Sequence, residues 1–333
     1  MPNYDNLRLE KGLYSTSGGF SKALEELDPS ENYVGTNLEG LDAFERQLKR
    51  FDIRVGGHGS DVVEKFFKTS DSATLFPEYV ARAVRQGMDS ADVLSQIVAT
   101  TTQINCPDYR AITSDMKEDE TELKRVTQGS FIPQTVISPS NELVTLRKRG
   151  RMVVASYETI RFQRLDLFTV MLKQIGAQIA SSQLEDAIDA LMDKTDKIHT
   201  KDAGKLSYDD LVALWNSMGQ YNMTTMITKG DNMPTLLGFS EFKDAAAGLN
   251  FHATGKLVTP LGAQLIKSKK MDESCIIGLD KDCALEKVEA GGIVTDYDKL
   301  IDRQLERASI TCTTGFSKIF TGATKILTTQ AKN

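Results

Sequence analysis

An α+β fold organised around one long helix, with an extended hairpin that the chain's own body does not cover, is what this sequence predicts. Three observations carry the expectation. Leu165, Phe168, Leu172, Ile175, Ile179, Leu184, Ile188 and Leu191 trace a single helical stripe; Gly176 is the only glycine in that span and there is no proline. At ~1.5 Å per residue such a helix runs roughly 40 Å, far beyond the ~11–12 residues of an average helix, so it should act as an architectural beam. Before it, Thr135-Val136-Ile137 and Leu143 to Leu146 read as strands around a turn at Ser138-Pro139-Ser140-Asn141, with Met152 to Tyr157 as a further strand segment. After it, Lys205 to Asp298 alternates short strands and helices, the pattern of a compact α/β unit.

The bulk properties are those of a globular chain. Its 333 residues lead us to expect two to three compact units, and 40% hydrophobic with 26% charged residues excludes a disordered or fibrous protein. No apolar run approaches the ~20 residues of a membrane span, and Met1-Pro2-Asn3-Tyr4-Asp5 lacks the pattern of a signal peptide. The expected product is soluble, cytosolic and without membrane contact. Cys106, Cys275, Cys283 and Cys312 show no CxxC spacing and read as small buried hydrophobes. With 46 acids against 40 bases the net charge is -6, which does not suit gripping nucleic acid through its phosphates.

From the N-terminus, the stretch to about Asp71 is interrupted by Gly18-Gly19, Asp28-Pro29 and Gly56-Gly57-His58-Gly59. Within it Leu41, Phe44, Leu48 and Phe51 recur at helical spacing. With little neighbouring chain to cover it, that stripe is expected to dock on another subunit. Pro77 marks the start of the next helix and Gly87 its stop, after which Asp89 or Ser90 caps a run carrying Val93, Leu94, Ile97 and Val98. Asp115 to Arg125 is densely charged. Beyond the long helix, Ser207 should cap a helix, with Asp210 completing a capping box and Leu211, Leu214, Trp215 and Met218 on the buried face. Strands are expected at Met226-Ile227-Thr228, Leu257-Val258-Thr259 and Cys275 to Leu279, a helix around Phe239–Ala247, and closing strands where Ile310, Cys312 and Thr314 alternate with polar neighbours.

The catalytic and ligand-binding signatures fail on spacing, so no catalytic residue, metal ligand or cofactor is expected. Gly248 and Gly255-Lys256 are separated by six residues and followed by Leu257, which is not a phosphate loop. Gly57-His58-Gly59-Ser60 reads as a plain turn. His58, His199 and His252 are too far apart to form a helical metal pair. Asp280, Asp282 and Glu286 lack the glycine and ligand spacing of a calcium loop.

The basic run Arg147-Lys148-Arg149 with Arg151 has three readings. Contact with acidic patches on adjacent subunits is favoured, because complementary charge fixes register between partners. DNA contact is disfavoured by the absence of interleaved aromatics. A solvated edge that discourages stray strand pairing is the third. Arg147, Lys148, Arg149, Arg151, Phe44, Leu48 and Phe51 are therefore the candidate inter-subunit residues.

The order of these parts resembles the tailed-bacteriophage major capsid family with the Hong Kong ninety-seven-type fold. Leu75-Phe76-Pro77-Glu78-Tyr79-Val80-Ala81-Arg82-Ala83 resembles the segment where the family's N-arm leads into a helix. Gly150-Arg151 through Ser156-Tyr157-Glu158 is similar to the exit from its extended hairpin, the E-loop, into the spine helix. Cys275 to Asp280 with Ala284-Leu285, then Leu300 to Gln304, resembles the end of the axial domain. Thr314-Gly315-Phe316-Ser317-Lys318-Ile319-Phe320 to Leu327 resembles the closing strands of the peripheral domain. The resemblance covers about Leu75 to the end, and the first ~70 residues are left as an extended arm or an internal scaffolding element.

The resemblance implies an N-terminal arm at 1–110, an E-loop hairpin at 111–157, a peripheral domain at 158–204 and 299–333, and an axial domain at 205–298. It further implies a virion protein, assembled in the bacterial cytoplasm as pentamers and hexamers of an icosahedral head. That head would enclose double-stranded DNA without sequence-specific binding, in company with portal, scaffolding or decoration proteins. The rivals are an encapsulin-like nanocompartment shell, an α/β enzyme of unfamiliar type, and another virion component such as a tail or scaffolding protein.

Overall fold

A computed structural model describes residues 4–16, 19–106, 108–113, 125–129, 138–139, 143–243, 257–303 and 305–330. The helices in chain order are α1 (Gly19–Leu27), α2 (Ala43–Arg50), α3 (Ser70–Thr74), α4 (Phe76–Ser90), α5 (Tyr157–Phe162), α6 (Leu165–Met192), α7 (Tyr208–Ser217), α8 (Met233–Gly238) and α9 (Ser240–Lys243). The strands are β1 (Thr100–Ile104), β2 (Ile112–Thr113), β3 (Ser138–Pro139), β4 (Arg147–Ser156), β5 (Lys197–His199), β6 (Thr225–Lys229), β7 (Gln264–Ser268), β8 (Cys275–Leu279), β9 (Leu285–Ala290), β10 (Val294–Leu300), β11 (Leu305–Lys318) and β12 (Thr324–Thr328). The chain divides into two compact units, one of Met1–Asp92, Arg149–Ala180 and Gly292–Cys312, the other of Val93–Lys148, Ser181–Gly291 and Thr313–Asn333.

In the first unit the inward face of α6 meets the N-terminal helices. Leu165, Phe168, Leu172 and Ile179 join Phe66, Phe76, Tyr79, Val80 and Val84 in one core, together with Ile310 and Cys312 of β11. The Tyr79 hydroxyl donates to the Leu165 carbonyl at 3.0 Å, so the aromatic end of α4 is fastened to the first turn of α6. Further along, α4 and α6 touch backbone to backbone. A Cβ at Gly87 would lie 2.1 Å from the Lys173 carbonyl oxygen, and one at Gly176 equally 2.1 Å from that of Val84. Gly87 is thus not the stop the sequence led us to expect. It sits inside α4, which continues to Ser90, and it is glycine because the neighbouring helix leaves no room for a side chain.

The first 70 residues are likewise not an extended arm. Leu9, Phe20, Leu24, Phe44, Leu48, Ile53, Val63 and Phe66 all belong to the first unit's core. α1 starts directly on Gly19, where the sequence showed only a break. α2 opens on a capping box between Asp42 and Glu45, and from it the fully buried Arg46 donates to Asp28 Oδ2 at 2.7 Å, to the Leu41 carbonyl at 2.6 Å and to Ser30 Oγ at 3.0 Å. The same guanidinium stacks over the Tyr33 ring at 4.2 Å. Every strong donor direction is met, which is the condition for tolerating a charge away from water.

The second unit centres on a sheet in the order β5-β12-β8-β6-β7. All five residues of β8 are buried, and the sheet is covered on both faces. Ile277, Ile227, Ile266 and Ile326 pack with Leu184, Ala187, Ile188 and Leu191 from the second half of α6. Their neighbours Ile276, Met226, Leu265 and Leu327 point the other way, toward Leu211, Leu214 and Met218 of and just beyond α7. The alternation is the period of a pleated strand. α7 carries the expected cap: Ser207 accepts from the Asp210 amide, and Asp210 accepts from the Ser207 amide. Trp215, expected on the buried face, is instead exposed.

Other expectations are corrected. After α4 there is no second helix; Leu94–Gln96 is a single 3-10 turn that still buries Leu94 and Ile97. Ser138-Pro139 is not the tip of a turn but strand β3, paired antiparallel with Ile112–Thr113. Leu143 to Leu146 forms no strand, and the basic run lies within β4. Thr135–Ile137, nearly all of Asp115–Arg125, and residues 244–247 of the expected helix fall outside the described residues. At Leu257–Thr259 only an isolated bridge from Val258 to Gln264 forms. Cys275 and Cys312 are buried as expected, Cys283 is half-buried, and Cys106 is exposed.

Three substitutions in the first unit have defined effects on stability. Gly176→Ala should destabilise by about 3 kcal/mol or more, because overpacking against backbone cannot be relieved by a rotamer change. Gly12→Ala, with nothing within 4 Å, should be close to neutral in the same denaturant titration. Arg46→Met, which leaves the Asp28 carboxylate buried without its cation, should cost about 3–5 kcal/mol by chemical denaturation.

Candidate assembly surface

The chemistry-bearing residues singled out in the sequence are tied into local structure. Gly57 to Ser60 is a turn fastened by Arg164, which donates to the His58 carbonyl at 3.2 Å and to Ser60 Oγ at 3.1 Å. His199 Nδ1 lies 2.9 Å from the Gln330 carbonyl, and His252 falls outside the described residues. Asp280 accepts from the backbone amides of Asn222 at 2.9 Å and Asp282 at 3.1 Å, shaping the turn after β8. Glu286 accepts from Tyr109 at 2.7 Å. Among the described residues no three His, Cys, Asp or Glu side chains are arranged to hold a metal ion, and no helix is long and apolar enough to cross a membrane.

The basic run does not act as one patch. In the second unit Arg147 Nη1 donates to Asp186 Oδ1 at 2.6 Å and to Asp189 Oδ2 at 3.3 Å, while Lys270 reaches the same Asp189 oxygen at 2.6 Å. Asp186 is almost wholly buried at 4% side-chain exposure, so Arg147 serves it as a counter-charge. This clamp borders a cleft of about 370 Å³, lined among others by Val144, Asp193, Thr314 and Lys318. Burial pulls the Lys318 ammonium below the ordinary lysine range, and it donates to Thr195 Oγ1 at 2.6 Å. Lys148 is exposed and forms no ion pair among the described residues. In the first unit Arg151 donates to Gln178, and Gly150 lets β4 close onto β11, since a Cβ there would lie 2.5 Å from the Ile310 carbonyl oxygen.

The three apolar candidates on and just after α2 need correcting. Phe44 and Leu48 are buried in the first unit's own core, and Phe51 is packed against it. The expectation that this stripe lacked cover failed because residues 4–66 fold around it rather than trailing away. What the sequence reading missed lies on α6. Leu167, Val170 and Met171 are 56%, 61% and 54% exposed, a row at i, i+3 and i+4 facing away from the core. Phe162 at the end of α5 is 75% exposed in the same unit, and Met152 and Val154 of β4 also stand exposed. The first half of α6 is therefore apolar on two faces. Following the longer inward stripe hid the shorter outward one, although its spacing is visible in the sequence.

Residues 140–279 match a family model described as phage capsid protein. Among solved structures, the capsid of a native GTA particle is similar with a TM-score of 0.55 and 13% identity, over 72% of this chain and 91% of that one. The capsid of an empty GTA particle gives 0.53 and 15%, over 72% and 90%. A virus-like particle from Pyrococcus furiosus gives 0.49 and 12%, over 75% and 98%. No curated protein sequence matches. The fold is that of the Hong Kong ninety-seven-type capsids, and the stretch similar to phage capsid protein lies within it.

The clamp generates a prediction of its own. Asp186→Ala should cost about 1.5 kcal/mol, the lower end for a hydrogen bond to a charged group because Arg147 is half exposed. It should also speed tryptic cleavage after Arg147 and Lys148, read by mass spectrometry on a digestion time course.

Proposed function

We propose that this chain assembles into pentamers and hexamers that close an icosahedral head around double-stranded DNA, in a virion put together in the bacterial cytoplasm. The observation that carries this reading is the outward apolar row Leu167, Val170 and Met171 on the long helix of a chain with a capsid fold. An apolar surface of that kind is costly on a free monomer and is what an interface between copies would cover. Residues 205–298 are assigned as the axial domain, gathered around the symmetry axes, with the peripheral domain at 158–204 and 299–333 and the E-loop at 111–157. Lys148, Arg149 and Arg151 are assigned to contacts with acidic patches of a neighbouring copy. The packed core of residues 9–66 supports treating the N-terminal segment as part of the body rather than as a reaching arm. The chain would act mechanically, without catalysis, and DNA would be enclosed without base-specific contacts. Portal, scaffolding or decoration proteins would join it in the head.

Negative-stain microscopy and sedimentation velocity of the purified chain test this. Shells, tubes or discrete pentamers and hexamers are expected. Leu167→Ser, Val170→Ser and Met171→Ser combined should cut particle yield at least tenfold while leaving the melting temperature within a few degrees. A stable monomer at high concentration, or a shell that isolates with protein cargo and no DNA from phage-producing cells, would overturn the reading.

A further inference from the structure

The outermost strands of the sheets differ in how they are protected. An outer strand presents unpaired amide and carbonyl groups, and proteins guard such edges with charge, proline or irregularity. β10 carries Asp296, Asp298 and Lys299; β7 carries Lys267; β5 is three residues long and carries Lys197. β1 has none of these guards. It pairs in parallel with β9, from Thr100 opposite Glu286 to Ile104 opposite Ala290, and among the described residues nothing pairs with its other side. From Val98 to Cys106 the chain holds no charged residue, no glycine and no proline. Thr100, Thr101 and Gln103 are exposed.

The acids beside this edge are already occupied. Glu286 on β9 accepts from the Thr102 hydroxyl at 2.5 Å and from the Tyr109 hydroxyl at 2.7 Å. Glu289 accepts from the Gln103 amide and pairs with Lys287 at 2.6 Å. The edge is therefore electrically quiet and rich in threonine, a residue suited to strands. A second copy of β1 docking there brings no charge of its own, so neither repulsion nor desolvation of an ion opposes the pairing. Among the described outer strands of five or more residues, β1 is the one without a charged side chain.

Resting on the shell reading above, we propose that β1 pairs antiparallel with β1 of a second copy about a local two-fold axis through Thr102. In that register Thr102 faces Thr102 of the other copy, Thr101 faces Gln103, and Thr100 faces Ile104. No like charges meet, and a threonine pair stands at the centre. Such a contact is self-complementary and closes on itself. A ladder of five residues is too short to hold two free copies against their lost freedom, so it forms where other contacts already gather the copies, within the shell.

The test uses the full chain carrying Cys106→Ser, to remove the exposed native thiol. Thr102→Cys is added, particles are assembled and mildly oxidised, and the chains are run on a non-reducing gel. More than half should run as dimers. Thr101→Cys alone should cross-link at least fivefold less, and Thr101→Cys combined with Gln103→Cys should restore the dimer. Thr101→Lys, placed on the exposed edge, should lower particle yield several-fold with an unchanged melting temperature. Particles of Thr102→Cys that stay monomeric on the gel would sink the pairing while leaving the shell reading standing. Equal cross-linking from positions 100, 101 and 102 would report random collision and sink it too. A Cys106→Ser parent that forms no particles at all would overturn the shell reading and the pairing together.

Discussion

The first unit depends on a close crossing of two helices at Gly87 and Gly176. Each glycine faces a backbone carbonyl of the opposite helix, so the two axes approach until only hydrogens separate them. That approach fixes the rotation of α6 about its own axis. With one face committed to α4, Leu165, Phe168 and Leu172 point inward and Leu167, Val170 and Met171 must point outward. Interiors packed to crystal-like density deform little, so the outward row is held as firmly as the inward one. A surface displayed on such a helix is preorganised for contact, and little order need be acquired when a partner arrives.

Several arginines in this protein are spent on internal fastening. Arg46 ties Asp28 to the loop before α2, Arg82 joins Asp42 to Glu78, Arg147 neutralises Asp186, and Arg164 closes the turn at Ser60. Arginine suits these places because its planar fork satisfies several acceptors at once. The run at Arg147 to Arg151 looked like a single basic patch because adjacent positions on a strand are adjacent in sequence. The pleat turns only Lys148 to the opposite side; Arg147 and Arg151 share a side but are taken up by different partners, Asp186 and Asp189 for one and Gln178 for the other.

Much of the architecture was legible where the signal was local and periodic. The α6 stripe, the Ser207–Asp210 cap and the continuous apolar strand β8 all appeared as expected, since each rests on spacing within one element. What the sequence hid was decided between elements. Gly87 looks like a helix stop and Gly176 like an incidental glycine until the opposite backbone is in view. Residues 4–66 looked uncovered because α1 opens on the second of two glycines and their cover comes from α4 and from α6, which lies far along the chain. The Phe44 and Leu48 assignment failed for that reason: amphipathicity states that a face is buried, but not by whom. The outward row on α6 was readable in principle, for its i, i+3, i+4 spacing is plain, yet a second apolar stripe on one helix is easily absorbed into the first.

The outward row also carries a thermal consequence. Apolar burial near room temperature is driven by the release of water, and its strength falls on cooling because of its heat-capacity signature. Hydrogen bonds and ion pairs do not share that trend. A shell whose copies meet through Leu167, Val170 and Met171 would therefore loosen toward about 0 °C, and would lose contacts of this kind before those made by polar strand edges. Particles kept on ice would be the fragile ones, and modest warming would tighten them, the reverse of the usual handling instinct.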